Sequence, residues 1–168
     1  MKKVTFAALV LLVLAAAPAL AGSASSSFTV SATVLTNCTI TTVGVVFGNY
    51  DPTSSTPLDG TGSVVVICTA GTTGKILVGQ GASPATGSTD AAPLRQMAGV
   101  VLSTERLRYD LYRDASRSTS WGNTTATGEA YTASTILPVT VTIYGRVPIN
   151  QSAQANVYND TVTATVTF

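Results

Sequence analysis

The stretch "SSSFTVSATVLTNC", Ser25–Cys38, decides how the fold is read. Phe28, Val30, Ala32 and Val34 alternate with Thr29, Ser31 and Thr33. That is the period-2 pattern of a β-strand with one apolar face. It stands directly behind an export signal, where a mature chain is ordinarily loose. Its apolar face has two candidate destinations: the core of its own domain, or that of a neighbour.

The export signal is read from the residues before it. Lys2 and Lys3 give a positive start, Val4 to Pro18 an apolar run, and Ala19-Leu20-Ala21 the small-x-small cleavage pattern. Cleavage is expected after Ala21. An uncleaved anchor is the weaker reading, because the run falls short of the ~20 residues of a bilayer span and ends in a cleavage site.

The chain is poor in charge. Charged residues make up 10% of it, against about 25% in ordinary domains. Removing Lys2 and Lys3 takes the formal charge of +1 to about −1. Nothing here recommends nucleic acid or an anionic membrane as a partner. A Thr/Val-rich surface suits a chain whose faces meet other protein. The two cysteines, Cys38 and Cys68, read as a disulfide in an exported chain. Closing that loop stabilises by roughly 3–4 kcal/mol on the chain-entropy argument. Two isolated thiols without histidine make a poor metal site.

Everything beyond the signal reads as β. Strands are expected at Thr39 to Phe47, Ser63 to Cys68, Lys75 to Val78, Arg106 to Arg113, Ile136 to Gly145 and along the C-terminal Val162 to Phe168, and Arg95 to Ser103 carries the apolar Met97, Val100, Val101 and Leu102. Thr53 to Gly62, Gly79 to Pro93 and Asn150 to Asn156 read as loops, and Ser116 to Gly128 is polar, with Trp121-Gly122 at its centre. Within "RLRYDLYR", Leu107, Tyr109 and Leu111 are expected to face inward. Pro138 is expected at a strand start or a bulge. Many short strands without a helical period indicate one antiparallel β-sandwich.

Catalytic chemistry is scarce. No histidine is present, which removes the commonest general base and metal ligand. Glu105 and Glu129 are the only glutamates, and Glu105 lies in a charged run where a solvated ion pair is the plain reading. Gly71 to Lys75 lacks the first glycine and the Ser/Thr of a phosphate loop. Asp51 to Gly60 lacks the spacing of a calcium loop. We expect no enzyme activity, no cofactor and no metal. Trp121-Gly122 invites a carbohydrate-binding reading, but a packing anchor explains it better.

The ordered motifs point to a family. They are the alternating strand before Asn37-Cys38-Thr39-Ile40, then Phe47-Gly48-Asn49-Tyr50-Asp51-Pro52, and Gly62 through Cys68-Thr69. Leu107 through Asp114 follows, then Trp121-Gly122, Ile143 through Pro148 with Gln151, and Tyr158 through Val162 ending on Phe168. The chain resembles the spore coat protein U-like domain of archaic chaperone–usher pilus subunits over nearly all of its mature length. Asn156 departs from the pattern, which favours Gly there, and puts a turn shape in question.

The resemblance implies an incomplete immunoglobulin-like antiparallel β-sandwich with an N-terminal donor strand. Such subunits lack a final strand, which leaves an apolar groove. A periplasmic chaperone fills the groove first, and the N-terminal strand of the next copy or of a sibling pilin replaces it at an outer-membrane usher. The implied organisation is a signal peptide at 1–21, leader and donor strand at 22–36, and a pilin-type domain at 37–168. Phe28, Val30, Ala32 and Val34 would be the donor side chains, and Val162, Ala164, Val166 and Phe168 would line or flank the groove. The implied role is a secreted surface pilus serving adhesion and biofilm formation. A spore or cell-surface coat protein is the alternative, and a secreted carbohydrate-binding module a weaker one.

Overall fold

The computed structural model describes residues 22–168; the expected signal peptide at 1–21 lies outside them. Ten strands follow one another in the described residues: β1 (Cys38–Val43), β2 (Leu58–Cys68), β3 (Thr72–Val78), β4 (Gln96–Gly99), β5 (Arg106–Arg108), β6 (Asp110–Tyr112), β7 (Glu129–Ala133), β8 (Val139–Val147), β9 (Tyr158–Asn159) and β10 (Ala164–Thr167). They form a four-stranded sheet, β1-β2-β8-β6, and two three-stranded sheets, β10-β3-β7 and β5-β4-β9. All pairings are antiparallel. The all-β expectation therefore holds.

Period-2 patterning builds the core. In β2, Val64, Val66 and Cys68 point inward while Val65 and Ile67 are less covered. Ile76 and Val78 of β3 and Ile143 and Val147 of β8 do the same. The sheets close on one cluster that also holds Leu107, Tyr109, Leu111, Trp121 and Tyr131. Cys38 and Cys68 are register partners in the β1–β2 ladder and are joined by the disulfide. The bond thus clamps the first strand to its neighbour rather than closing a loop between distant elements.

Several strand bounds differ from the expectation, for physical reasons. β2 begins at Leu58, inside the expected polar loop, because Gly60 and Gly62 lie in the ladder with β8. "RLRYDLYR" is not one strand: β5 pairs with β4 and β6 with β8, and the chain changes sheets at Tyr109. Leu107, Tyr109 and Leu111 are nonetheless all buried. β8 starts at Val139, directly after Pro138, which leaves Ile136 and Leu137 exposed in the preceding turn. The short β7, EAYTA, has only one large side chain, Tyr131, to announce it.

Arg95 has no sequence signal and is 1% exposed. Its Nε donates to the Gly79 carbonyl at 2.8 Å, and its Nη2 donates to the carbonyls of Val78 at 2.8 Å and Trp121 at 2.7 Å. One guanidinium thus satisfies three backbone acceptors where β3 ends and the long Gly79–Pro93 connection begins. Burial pulls its pKa down from the usual arginine range.

Residues 22–33 are a separate unit from Val34–Phe168. Taken by themselves, residues 22–33 form no strand, and Phe28 and Val30 are 87% and 83% exposed. Ala32 is exposed too, as is Val34 at the start of the second unit.

Candidate functional site: an open groove between two strand edges

β1 is shorter than expected. Its ladder stops at Val43, opposite Ser63. From Gly44 to Phe47 the chain lies against the inner face of the four-stranded sheet, over three glycines. A Cβ on Gly62 would come 2.5 Å from the Val43 carbonyl oxygen. One on Gly145 would come 2.7 Å from Val45 Cγ1, and one on Gly60 3.0 Å from the same atom. Gly60 and Gly145 are register partners, so two adjacent strands omit their side chains at one spot. The space is filled by Val45 and Phe47, which pack half-buried on the core. The Phe47 ring meets Tyr109 at 6.0 Å between centroids, tilted by 60°. This is an ordinary aromatic pair.

On the other side runs the chain from Ala153 to Ala164, including β9 and the start of β10. Asp160 holds this wall. It accepts a hydrogen bond from the Tyr109 hydroxyl and, through Oδ1, from the backbone N–H of Ala82 at 2.8 Å. Burial, and then the Asp160 carboxylate, raise the Tyr109 phenol pKa far above its ordinary value. Tyr109 therefore stays a neutral donor.

Between the two walls lies a groove. A cavity of about 350 Å³ is bounded by Val43, Val45 and Phe47 on one side, Tyr158, Val162 and Ala164 on the other, and floored by Val78, Tyr109, Leu111 and Ile143. A second cavity of about 860 Å³ continues it past Tyr50, Leu58, Leu107, Val147 and Ala153. The two share Val45, Phe47, Met97, Tyr158 and Asn159, so they adjoin. β1 and β10 are each the last strand of their sheets. Each reaches the groove at one end, β1 at Thr42 and Val43 and β10 at Ala164, and an edge strand is the usual template for adding a strand.

Of the residues named from sequence, Val162 and Ala164 lie in the groove wall. Val166 is half-buried against the core outside it, paired across from Ile76. Phe168 is 60% exposed beyond the end of β10. The opposite wall, Val45 and Phe47, went unnamed, although Gly44 within that stretch is a visible break in an apolar run. The floor residues Tyr109 and Leu111 were legible only as core. Trp121 is fully buried, with its indole N–H donating to the Ile76 carbonyl at 2.8 Å. It is a packing anchor, and the exposed indole that sugar stacking requires is not there. Glu129 faces Arg113 at 3.5 Å and Glu105 accepts from Gln154 at 3.1 Å; neither lies in the groove walls.

Fold and site together define an all-β sandwich with one open, apolar, strand-sized edge. The family model described as "Spore Coat Protein U domain" matches residues 24–165, and the chain belongs to that family. It is 48% identical over 127 residues to "Protein U" of Myxococcus xanthus, an alignment covering 73% of this chain and 70% of that protein. Among solved structures it is similar to a chain in the CsuC–CsuE chaperone–tip adhesion subunit pre-assembly complex, from the archaic chaperone–usher Csu pili of Acinetobacter baumannii. That match has a TM-score of 0.58 at 24% identity, and covers 81% of this chain and 40% of the other. It speaks for the fold.

Proposed function

We propose that the protein is a structural subunit of a surface pilus, assembled by strand exchange between copies. One observation carries the reading. The same chain has an apolar groove reached by an edge strand at each wall, and an exposed alternating segment, Phe28 to Val34, of the kind that fills such a groove. Main-chain hydrogen bonds to the walls would give affinity, and alternate side chains would give register. Each of Phe28, Val30 and Val34 would contribute up to ~1.5–3 kcal/mol on full burial, with Ala32 contributing less. A groove filled by another copy is a heterologous contact that does not close, so it generates a filament.

Before assembly the open edge is an aggregation hazard, which a chaperone strand in the periplasm would cover. An outer-membrane usher would then exchange that strand for the N-terminal segment of the next copy. The subunit would reach the cell surface as part of a fibre, with adhesion and biofilm formation as its roles. The complex whose fold the chain shares pairs a chaperone with a pilus subunit, which supports this reading. Deleting residues 22–35 is expected to leave a chaperone-bound monomer that cannot polymerise. The intact protein is expected to run as an SDS-resistant ladder that collapses to monomer on boiling. A deleted protein that still gives the ladder overturns the donor role.

The family description favours a second reading, a spore or cell-surface coat protein built by the same exchange. Chaperone and usher genes beside this one would support the pilus; an isolated gene would support the coat.

A further inference from the structure

Each end of the sandwich carries apolar side chains that the chain itself does not cover. The register places them. Cys38 pairs with Cys68, and Val66 with Val139, so the turn before β8 lies at the disulfide end. There Ile136 and Leu137 are 73% and 67% exposed. Leu58 pairs with Val147 at the opposite end. β10 closes toward the disulfide end, and β4 runs antiparallel to β9, with Gly99 opposite Tyr158. The β4–β5 tip therefore lies at the far end. It carries Val100, Val101 and Leu102, with Val157 beside it, and Val101 is 80% exposed.

This tip is tied down. The Val100 N–H donates to the Val157 carbonyl at 2.8 Å. Asn156 Oδ1 accepts from the Val101 N–H at 3.1 Å, and Asn156 Nδ2 donates to the Leu102 carbonyl at 3.4 Å. The residue that departs from the expected turn pattern thus holds the apolar tip in shape.

The chain between donor face and domain is short. Only Leu35, Thr36 and Asn37 separate Val34 from β1, a reach of roughly 10 Å. Thr69 pins it to the disulfide end. Its Oγ1 donates to the Leu35 carbonyl at 3.1 Å and accepts from the Asn37 N–H at 3.1 Å. Its N–H donates to the Asn37 carbonyl at 2.9 Å. A copy whose donor segment lies in a neighbour's groove therefore has its disulfide end close to that neighbour.

We propose that consecutive copies also meet end to end. The Ile136–Leu137 turn of one copy packs on the Val100–Leu102 tip, with Val157, of the copy whose groove it fills. The inference rests on the strand-exchange reading. It requires the donor to leave the groove at the tip end. The reverse orientation brings the donor's body onto the acceptor's disulfide end, where the acceptor's own Leu35–Asn37 must depart, and so crowds the next junction. A contact of a few side chains is small for a free interface. Tethered by the inserted strand, it forms intramolecularly at high effective concentration.

The test uses full-length chains carrying Leu137→Ser, Val101→Ser, or both. The two side chains are exposed, so the subunit itself is expected to fold as wild type; near-UV circular dichroism checks this, and Ile136→Ser and Val157→Ser serve as second variants of each patch. Polymers are warmed, and aliquots are run on unboiled SDS gels to follow monomer release. Fibre curvature is read by electron microscopy. All variants should still form ladders. Each single change should speed monomer release about tenfold, the equivalent of ~1.4 kcal/mol, and make the fibres more bent. The double variant should release no faster than the singles, since both remove one contact. Wild-type release rates and curvature in both single variants overturn the end-to-end contact while leaving strand exchange intact. A wild-type protein without any ladder overturns strand exchange itself, and this contact with it.

Discussion

Replacing Gly145 by alanine tests the glycine floor that shapes one wall of the groove. The new methyl carbon would lie 2.7 Å from Val45 Cγ1, 2.8 Å from Phe47 Cζ and 2.9 Å from Phe47 Cε1, well inside the 3.5–4.0 Å of ordinary carbon contact. The Phe47 ring can swing toward the open groove. Val45 is β-branched and cannot turn aside without leaving its rotamer. Overpacking of this kind costs about 1–3 kcal/mol, which lowers a urea midpoint by roughly 1 M at an ordinary slope. Val45→Ala alone loses two half-buried methyls, worth about 1 kcal/mol. In the double variant Gly145→Ala/Val45→Ala the incoming methyl takes the vacated space. Its cost should fall short of the sum of the singles by about 1 kcal/mol or more. Gly44→Ala is the control, because a Cβ there meets nothing within 4 Å. The assay is equilibrium urea unfolding of the oxidised monomer. A Gly145→Ala midpoint equal to that of Gly44→Ala, or strict additivity with Val45→Ala, would refute the account of the wall.

Three further outcomes are expected. Arg95→Met strips the donor from three carbonyls at once and should destabilise by about 3 kcal/mol even after relief of the buried charge; a urea midpoint within error of wild type would show that the guanidinium does not hold the start of the Gly79–Pro93 connection. Trp121→Phe removes the indole bond to the Ile76 carbonyl and leaves space in a fully buried site, so thermal unfolding should shift downward by a change worth about 1–3 kcal/mol. Asp59 is held below the usual carboxylate range, first by the hydrogen bond from Arg146; burial opposes this, and the charges of Arg117 and Arg146 add to the lowering. Its folded pKa being depressed, its contribution is present above the unfolded value of about 3.9 and is lost as pH falls through the lower folded value; urea midpoints between pH 5 and 2 should therefore fall less in Asp59→Asn than in wild type.

The strongly apolar strands were legible because their side chains alternate on a buried face, as in Val64, Val66 and Cys68, or Leu107, Tyr109 and Leu111. That alternation does not record a change of sheet, so the break at Tyr109 left no trace in the sequence. Leu58–Gly62 read as a loop for the opposite reason: its glycines suggest a turn, while in the fold they clear room for Val45 and Phe47. Half of the groove is visible in the apolar threonine-spaced tail, through Val162 and Ala164. The other half depends on a stretch that leaves its ladder at Val43 and crosses the sheet, a tertiary event that no local pattern encodes. Arg95 is the clearest case of a residue whose place is set by distant backbone. Nothing in "APLRQM" distinguishes it from a solvated arginine.

The two walls of the groove come from opposite ends of the domain's sequence, residues 42–47 and residues 158–164. The disulfide partners, by contrast, belong to neighbouring strands near its beginning. Contacts of high sequence separation form late, because the intervening chain must be ordered first, and an exported chain arrives in its oxidising compartment N-terminal part first. The order of events during folding follows from this arrangement. The cysteine bond can close in an oxidising compartment as soon as β1 and β2 have arrived there, but the groove comes into existence only with the last strand. The interval between those two moments is when the apolar floor, Val78, Leu111 and Ile143, stands most open to the wrong neighbour.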